Sequence, residues 1–395
     1  MTIQISDRVT NIKPSATVLM TSKIQELIER GEKVLSLNVG ESGFNTPDVV
    51  KETGIKAIEN NYTRYTTVDG YKDLRQAIIN CYHSDYGVTY ELDEVCVTTG
   101  AKHSLHNIFN CIINDGDEII YMAPYWASYP DMIKLSGGVP VVLETNIENG
   151  FEPGIEKLES LISARTKAIL INIPNNPSGA IYSEATMTSL AELMKKYPNI
   201  VLISDEIYDQ IYWNRAPITV TKISPELKDR VIVASGVSKN YAMTGWRVGH
   251  VLAPSAFINA IKKFQSQSLS CACSISQIAA IEALKLERAD IEYMNQEYYK
   301  SVSFVFNTLK DISGVKAFMP KGGFYIFLDI SEVLERMQIT DEDFCIKLLE
   351  ETFVGVIHGS AFGLAGHIRI SAAAEKTVLE EAVKRLRNFI LSNVS

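Results

Sequence analysis

The feature that most constrains the fold is a repeating period. From about residue 91 to 254, short β-branched runs alternate with amphipathic stretches, the mark of βαβ units and a mostly parallel sheet. Strands are expected at 95–98, 118–123, 139–144, 168–173, 200–204, 231–234 and 248–253. Between them, Leu105, Ile108, Phe109 and Ile112 share one helical face, as do Ile155, Leu158 and Ile162. Past Ser255 the pattern turns helical, at 257–267, 276–284 and 291–309. The last ninety or so residues form a second, smaller α/β unit, with strands at 324–328, 354–357 and 368–371 and helices at 341–352 and 377–391. No repeat or Pro/Ser-rich linker separates the two units, so they are expected to pack together and share a cleft. In such sheets ligands sit where strand C-termini meet loops.

Charge and composition narrow the partners. A formal net charge of −9 leaves no basic surplus for nucleic acid or an anionic membrane surface. The first twenty residues carry charges and a proline where a signal peptide needs an apolar stretch, and no run reaches the ~18 apolar residues of a spanning helix. A soluble, unexported, cytoplasmic protein is expected. Six cysteines without a C-x-x-C pair argue against a disulfide framework or a zinc ribbon. His103 and His106 share a helix face, but no carboxylate or thiol with ligand spacing joins them, so capping or packing is expected and no metal.

Neither G-x-G-x-x-G nor G-x-x-x-x-G-K-[ST] occurs, which removes the usual support for nicotinamide or nucleoside triphosphate binding. The strand ends carry other chemistry. Asp205 and Glu206 follow one apolar run, with Tyr208 just beyond; another leads into Ser238-Lys239, with Arg247 eight positions later. Gly100-Ala101-Lys102 closes a strand and opens a helix, where free N–H groups favour an anion. Taken singly, each residue has an ordinary explanation as a cap, a solvated charge or a surface ion pair. A lysine amine, a carboxylate and a phosphate cradle together are what pyridoxal phosphate requires.

The chain resembles the class I/II aminotransferases of pyridoxal-phosphate fold type I, in the aspartate/prephenate aminotransferase branch. The resemblance runs almost end to end. It is carried by Lys13-Pro14-Ser15-Ala16-Thr17, Asn38-Val39-Gly40-Glu41, Arg64-Tyr65-Thr66, Thr99-Gly100-Ala101-Lys102, Ala123-Pro124-Tyr125-Trp126, Asn175-Asn176-Pro177-Ser178-Gly179, Ser204-Asp205-Glu206-Ile207-Tyr208 and His367-Ile368-Arg369-Ile370-Ser371. The most specific block is Ser238-Lys239-Asn240-Tyr241-Ala242-Met243-Thr244-Gly245-Trp246-Arg247.

The resemblance implies an α/β fold with a seven-stranded, mostly parallel sheet in a large domain, 48–300, and a small domain, 301–395. Residues 1–47 would close the cleft and join the small domain. It implies pyridoxal 5'-phosphate carried on Lys239, which would also move the substrate Cα proton. Asp205 would hold the pyridine nitrogen protonated, and Tyr208 and Asn176 would bind the ring's phenolic oxygen. Trp126 would stack on the ring, although a core aromatic is a fair rival reading. Ser238, Arg247 and the backbone of Gly100, Ala101 and Lys102 would hold the phosphate, helped by Tyr65 of a second copy in a homodimer with composite sites. Arg369 and the backbone of Gly40 would grip the α-carboxylate. Thr17 and Lys102 match positions associated with acidic or prephenate-type side chains, and Lys102 has a second reading as a screen for the phosphate.

Departures from the family pattern concern the substrate. Gly40-Glu41-Ser42-Gly43-Phe44 replaces a Gly-Glu-Pro-Asp-Phe loop, the 267–273 segment around Cys271-Ala272-Cys273 lacks its usual proline, and no arginine stands near Ser266. The expected activity is amino-group transfer between an L-amino acid, preferably acidic, and a 2-oxo acid. Elimination, cyclisation or oxidation on the same fold is an alternative. A non-catalytic regulator would need a helix-turn-helix and a basic face.

Overall fold

The β-branched runs pair into one seven-stranded sheet. The computed structural model describes residues 3–12 and 14–394; Lys13, which opens the first motif above, lies outside them. From one edge the strands are Val95–Thr98, Gly249–Leu252, Val231–Gly236, Val201–Asp205, Thr166–Asn172, Glu118–Ala123 and Val139–Glu144. Six run one way, and Gly249–Leu252 runs against both neighbours. The strand at 248–253 is thus the exception to a parallel sheet. Pro140 is tolerated because its strand lies at the edge, where one side of the ladder needs no donor.

The interior strands are buried on both faces, as parallel strands must be. Ile120, Ile169, Leu202 and Val233 belong to one apolar layer, while Ile119, Leu170, Ile203 and Ile232 belong to the other. Helix Ala101–Ile112 covers the second layer with Leu105, Ile108 and Phe109, the face that its periodicity predicts. Leu158 is fully buried on the short helix Ile155–Ser160, whereas Ile155 and Ile162 are only partly covered.

The smaller unit has a four-stranded antiparallel sheet, ordered Ile357–His358, His367–Ser371, Tyr325–Asp329 and Lys316–Ala317. The single strand expected at 354–357 is in fact two. Val354–Gly355 pairs in parallel with Leu35–Ser36, and Ile357–His358 pairs with His367–Ser371. The run is buried throughout, so it offers no alternation from which to read a change of partner. Gly355 lies so close to Ile24 that a side chain there would collide with it. Met20 and Ile24, on helix Ala16–Glu29, join Leu35 and Leu37 in a core with Val354, Leu379, Leu386 and Ile390.

Candidate active site

Because six strands point the same way, Asp205, the Thr99-Gly100 turn, Asn172 and the Ser238-Lys239 loop emerge at one end of the sheet. There a cavity of about 380 Å³ opens between the large sheet and the smaller unit. Its lining includes Thr17, Gly40, Ala101, Lys102, Trp126, Asn176, Asp205, Tyr208, Ser238, Lys239, Arg247 and Arg369. Of the residues singled out in the sequence, Gly100 supports the wall from behind and Tyr65 stands apart.

Lys239 is partly buried, and its Nζ donates to the Gly40 carbonyl at 2.5 Å. Burial lowers the amine to about 8; Arg369 and Arg247 push the same way, against Glu41. The buried Asp205 carboxylate receives the Tyr129 hydroxyl at 2.5 Å on Oδ2 and the Ile207 N–H at 3.3 Å on Oδ1. Burial raises its carboxyl to about 6, with both donors opposing. Tyr208 is buried, its hydroxyl 2.9 Å from that of Tyr325. Burial also holds the Tyr208 phenol well above its ordinary value, so it remains a proton donor.

Before helix Ala101–Ile112, Gly100 adopts φ +85°, and a side chain there would strike the Arg247 guanidinium. Arg247 donates to the carbonyls of Thr244 at 2.9 Å and Thr99 at 3.2 Å, which pins it beside the start of helix Ala101–Ile112. His103 Nδ1 accepts the Thr99 N–H at 3.2 Å, so this histidine serves as a local cap. Arg369 also lines the cavity. Its guanidinium lies 4.7 Å from both the Tyr325 and the Phe362 ring centroids, and it donates to Asn176 Oδ1 at 3.2 Å and to the Asn38 carbonyl at 2.6 Å. Its Nε is buried without a partner. Lys102 places its ammonium 4.9 Å from the Trp126 ring centroid, and partial desolvation together with Arg247 lowers its amine below the ordinary value. Among the described residues, Lys102, Lys239, Arg247 and Arg369 form no ion pair with an acid.

The Gly40 carbonyl accepts from Lys239, and the Asn176 side-chain oxygen accepts from Arg369. Tyr65 is 91% exposed and does not line the cavity. Tyr129, Tyr325 and Phe362 are site residues that sequence reasoning missed. Each lies within an ordinary apolar pattern, and nothing in its spacing tells a site tyrosine from a core one.

A glycine cradle at a helix start, cations without acid partners, a buried acid and a lysine with lowered basicity fit an anionic pyridoxal cofactor. The model of the aminotransferase class I and II family matches residues 32–386. A probable aspartate/prephenate aminotransferase of Rickettsia prowazekii is 40% identical over 391 residues, covering 97% of this chain and 98% of that protein. An aspartate/prephenate aminotransferase of Cereibacter sphaeroides is 39% identical over 392 residues, covering 98% of each. The crystal structure of an aspartate aminotransferase from Rhizobium meliloti superposes with a TM-score of 0.95 at 36% identity, covering 98% of this chain and 99% of that one. Fold and site together define an enzyme of the pyridoxal-phosphate fold type I class. Within it, the chain belongs to the class I and II aminotransferases and is a transaminase.

Proposed function

We propose that this enzyme binds pyridoxal 5'-phosphate in the cavity and moves an amino group between an acidic L-amino acid, of aspartate, glutamate or prephenate type, and a 2-oxo acid. The observation that carries the substrate class is Lys102, an ammonium on the cavity wall with no acid partner among the described residues. The names of the relatives in Rickettsia and Cereibacter point the same way. When bound, the cofactor supplies an electron sink for the charge that develops at the substrate Cα.

The chain's own residues supply the rest. Arg247, Ser238 and the N–H groups of Ala101 and Lys102 would bind phosphate, Asp205 would pair with the ring nitrogen, and Tyr208 with Asn176 would hold the phenolic oxygen. Trp126 would cover the ring face. Lys239, close to neutrality, would hold the cofactor and then carry the Cα proton. Arg369 would clamp the α-carboxylate, for which its unpartnered Nε leaves a donor free. Thr17, on the N-terminal helix, would border the substrate side chain. Residues 1–47 and 301–395 are read as the unit that covers the cofactor-bearing domain, 48–300.

Spectra of the holoenzyme mixed with single amino acids test this reading. Aspartate and glutamate should convert the cofactor to its amino form far faster than neutral amino acids, and equal rates would refute the acidic preference. Lys102→Met sharpens the test. Losing a charge-assisted contact should cost acidic substrates about 1.5–3 kcal/mol in kcat/KM and leave apolar ones nearly unchanged. A uniform loss together with weaker cofactor retention would assign Lys102 to phosphate screening.

The reading includes a cytoplasmic homodimer with composite sites. Tyr65 would complete the partner copy's phosphate site; its 91% exposure leaves the phenol free for that contact. No described helix is long and apolar enough to cross a membrane. Mixing Lys239→Ala chains with Tyr65→Ala chains should restore part of the activity, because one hybrid site then holds both intact residues. A fully active monomer in sedimentation would exclude it.

A further inference from the structure

Asp205 ends strand Val201–Asp205, and its side chain is held by two donors of unequal quality. The Ile207 N–H reaches Oδ1 at 3.3 Å, beyond the ordinary range for such bonds. The Tyr129 hydroxyl reaches Oδ2 at 2.5 Å, the length of a charge-assisted O–H···O⁻ bond. No lysine or arginine pairs with Asp205 among the described residues. Its other ionisable neighbours are Glu206, next in the chain, and Tyr208, and neither can supply a positive charge. Burial thus favours the neutral acid, and the phenol opposes it most strongly. Tyr129 stays protonated, since its own burial and the Asp205 charge raise its hydroxyl well above the ordinary value. The ring is fixed independently, edge-on to Trp126 at 5.4 Å and to Tyr121 at 6.2 Å, so the hydroxyl arrives already oriented.

We propose that Tyr129 is the positioning residue for Asp205, its hydroxyl aiming the carboxylate at the cofactor's ring nitrogen and keeping that nitrogen protonated. The proposal rests on the pyridoxal-phosphate reading above. Its physical core is that a carboxylate without a cationic partner in a dry site depends on its hydrogen-bond donors to stay charged. Tyr129 thereby couples the turn that carries Trp126, which lines the cavity, to the acid on the sheet.

The test is Tyr129→Phe, which removes one oxygen and keeps both ring contacts. Wild-type and variant apoenzymes are loaded with pyridoxal phosphate labelled with ¹⁵N in the ring, and the nitrogen's chemical shift is followed by NMR. The expected result is a protonated nitrogen in the wild type and a shift towards the unprotonated position in the variant. The cofactor dissociation constant should rise about tenfold, and kcat should fall while KM for the amino donor holds within about twofold. Tyr129→His, which offers another donor, should recover part of the shift. If Tyr129→Phe keeps the wild-type nitrogen shift and cofactor affinity, the hydroxyl has only a packing role and the proposal is overturned. If the wild type itself takes up no labelled cofactor, the underlying reading fails, an outcome distinct from a retained shift. Should Tyr129→Phe not fold, a wild-type nitrogen shift and cofactor affinity in a Tyr129→Met variant, which also lacks a donor, would overturn it equally.

Discussion

Lys239→Ala is expected to lower turnover by about 10⁴-fold while leaving the phosphate cradle able to hold cofactor. In the proposed function the lysine would have two tasks at one atom: it would anchor the cofactor and then carry the Cα proton. Both require a neutral amine. With burial lowering Lys239 to about 8, roughly half of it is unprotonated near pH 8, against less than about one per cent of an ordinary lysine. Capture of pyridoxal phosphate by the apoenzyme should therefore accelerate with pH and level off just above 8, not above 10. Borohydride reduction of the holoenzyme should fix the cofactor on Lys239 and on no other lysine, as read by peptide mapping. The same shift has a stability consequence. The folded apoenzyme binds fewer protons at Lys239 than the unfolded chain between about pH 8 and the ordinary lysine value of 10.5, so this group destabilises below 8 and its penalty is relieved as pH rises through that window. The stability difference between wild type and Lys239→Ala should follow that course in apoenzyme melts.

Arg369→Met should reduce kcat/KM for every amino acid substrate by about 10²–10³-fold, because truncating one partner of a buried, hydrogen-bonded charge pair costs about 3–5 kcal/mol. The loss should be indifferent to the substrate side chain, which separates it from Lys102→Met. Without substrate the balance reverses. Arg369 is a fully buried cation whose only described partners are an amide oxygen, a backbone carbonyl and two aromatic faces. Methionine of similar volume removes that desolvated charge, and replacing buried ions in this way is often neutral or stabilising by about 1–4 kcal/mol. The apoenzyme's Tm is therefore expected to hold or rise while activity collapses. A large fall in Tm would mean that Arg369 is needed by the fold as well as by the substrate.

How far the chain could be read in advance varied with the kind of signal. Strands 118–123 and 139–144 and helix 341–352 end where the sequence places them, because β-branched runs and an Asp-rich helix start punctuate them locally. Strand 354–357 was misread as one element because Val354, Gly355, Val356 and Ile357 are all buried, and a uniformly apolar run does not show where its partner changes. The same limit applies in the site. Lys239, Asp205 and Arg247 were legible because charged residues beside strand ends break the apolar pattern, whereas Arg369, at the centre of strand His367–Ser371, was legible only through the family motif. Tyr129 and Tyr325 conform to it, and only the distances from their hydroxyls to Asp205 and Tyr208 distinguish them from core tyrosines.

The pairing of Leu35–Ser36 with Val354–Gly355 bears on biosynthesis. Domains fold as they leave the ribosome, N-terminal parts first, but helix Ala16–Glu29 cannot complete its apolar core until Leu379 and Ile390, near the other end of the chain, have been made. The seven-stranded sheet can form in the meantime. Met20 and Ile24 must wait for most of their core, a stretch on which a holding chaperone can act. The wall of the cavity formed by Thr17 and Gly40 is consequently assembled last, after the residues that would anchor the cofactor are already in place. A nascent chain stalled before Leu379 should hold an ordered sheet with its N-terminal helix still open to protease, and become resistant only when the final helix, Lys376–Val394, is released.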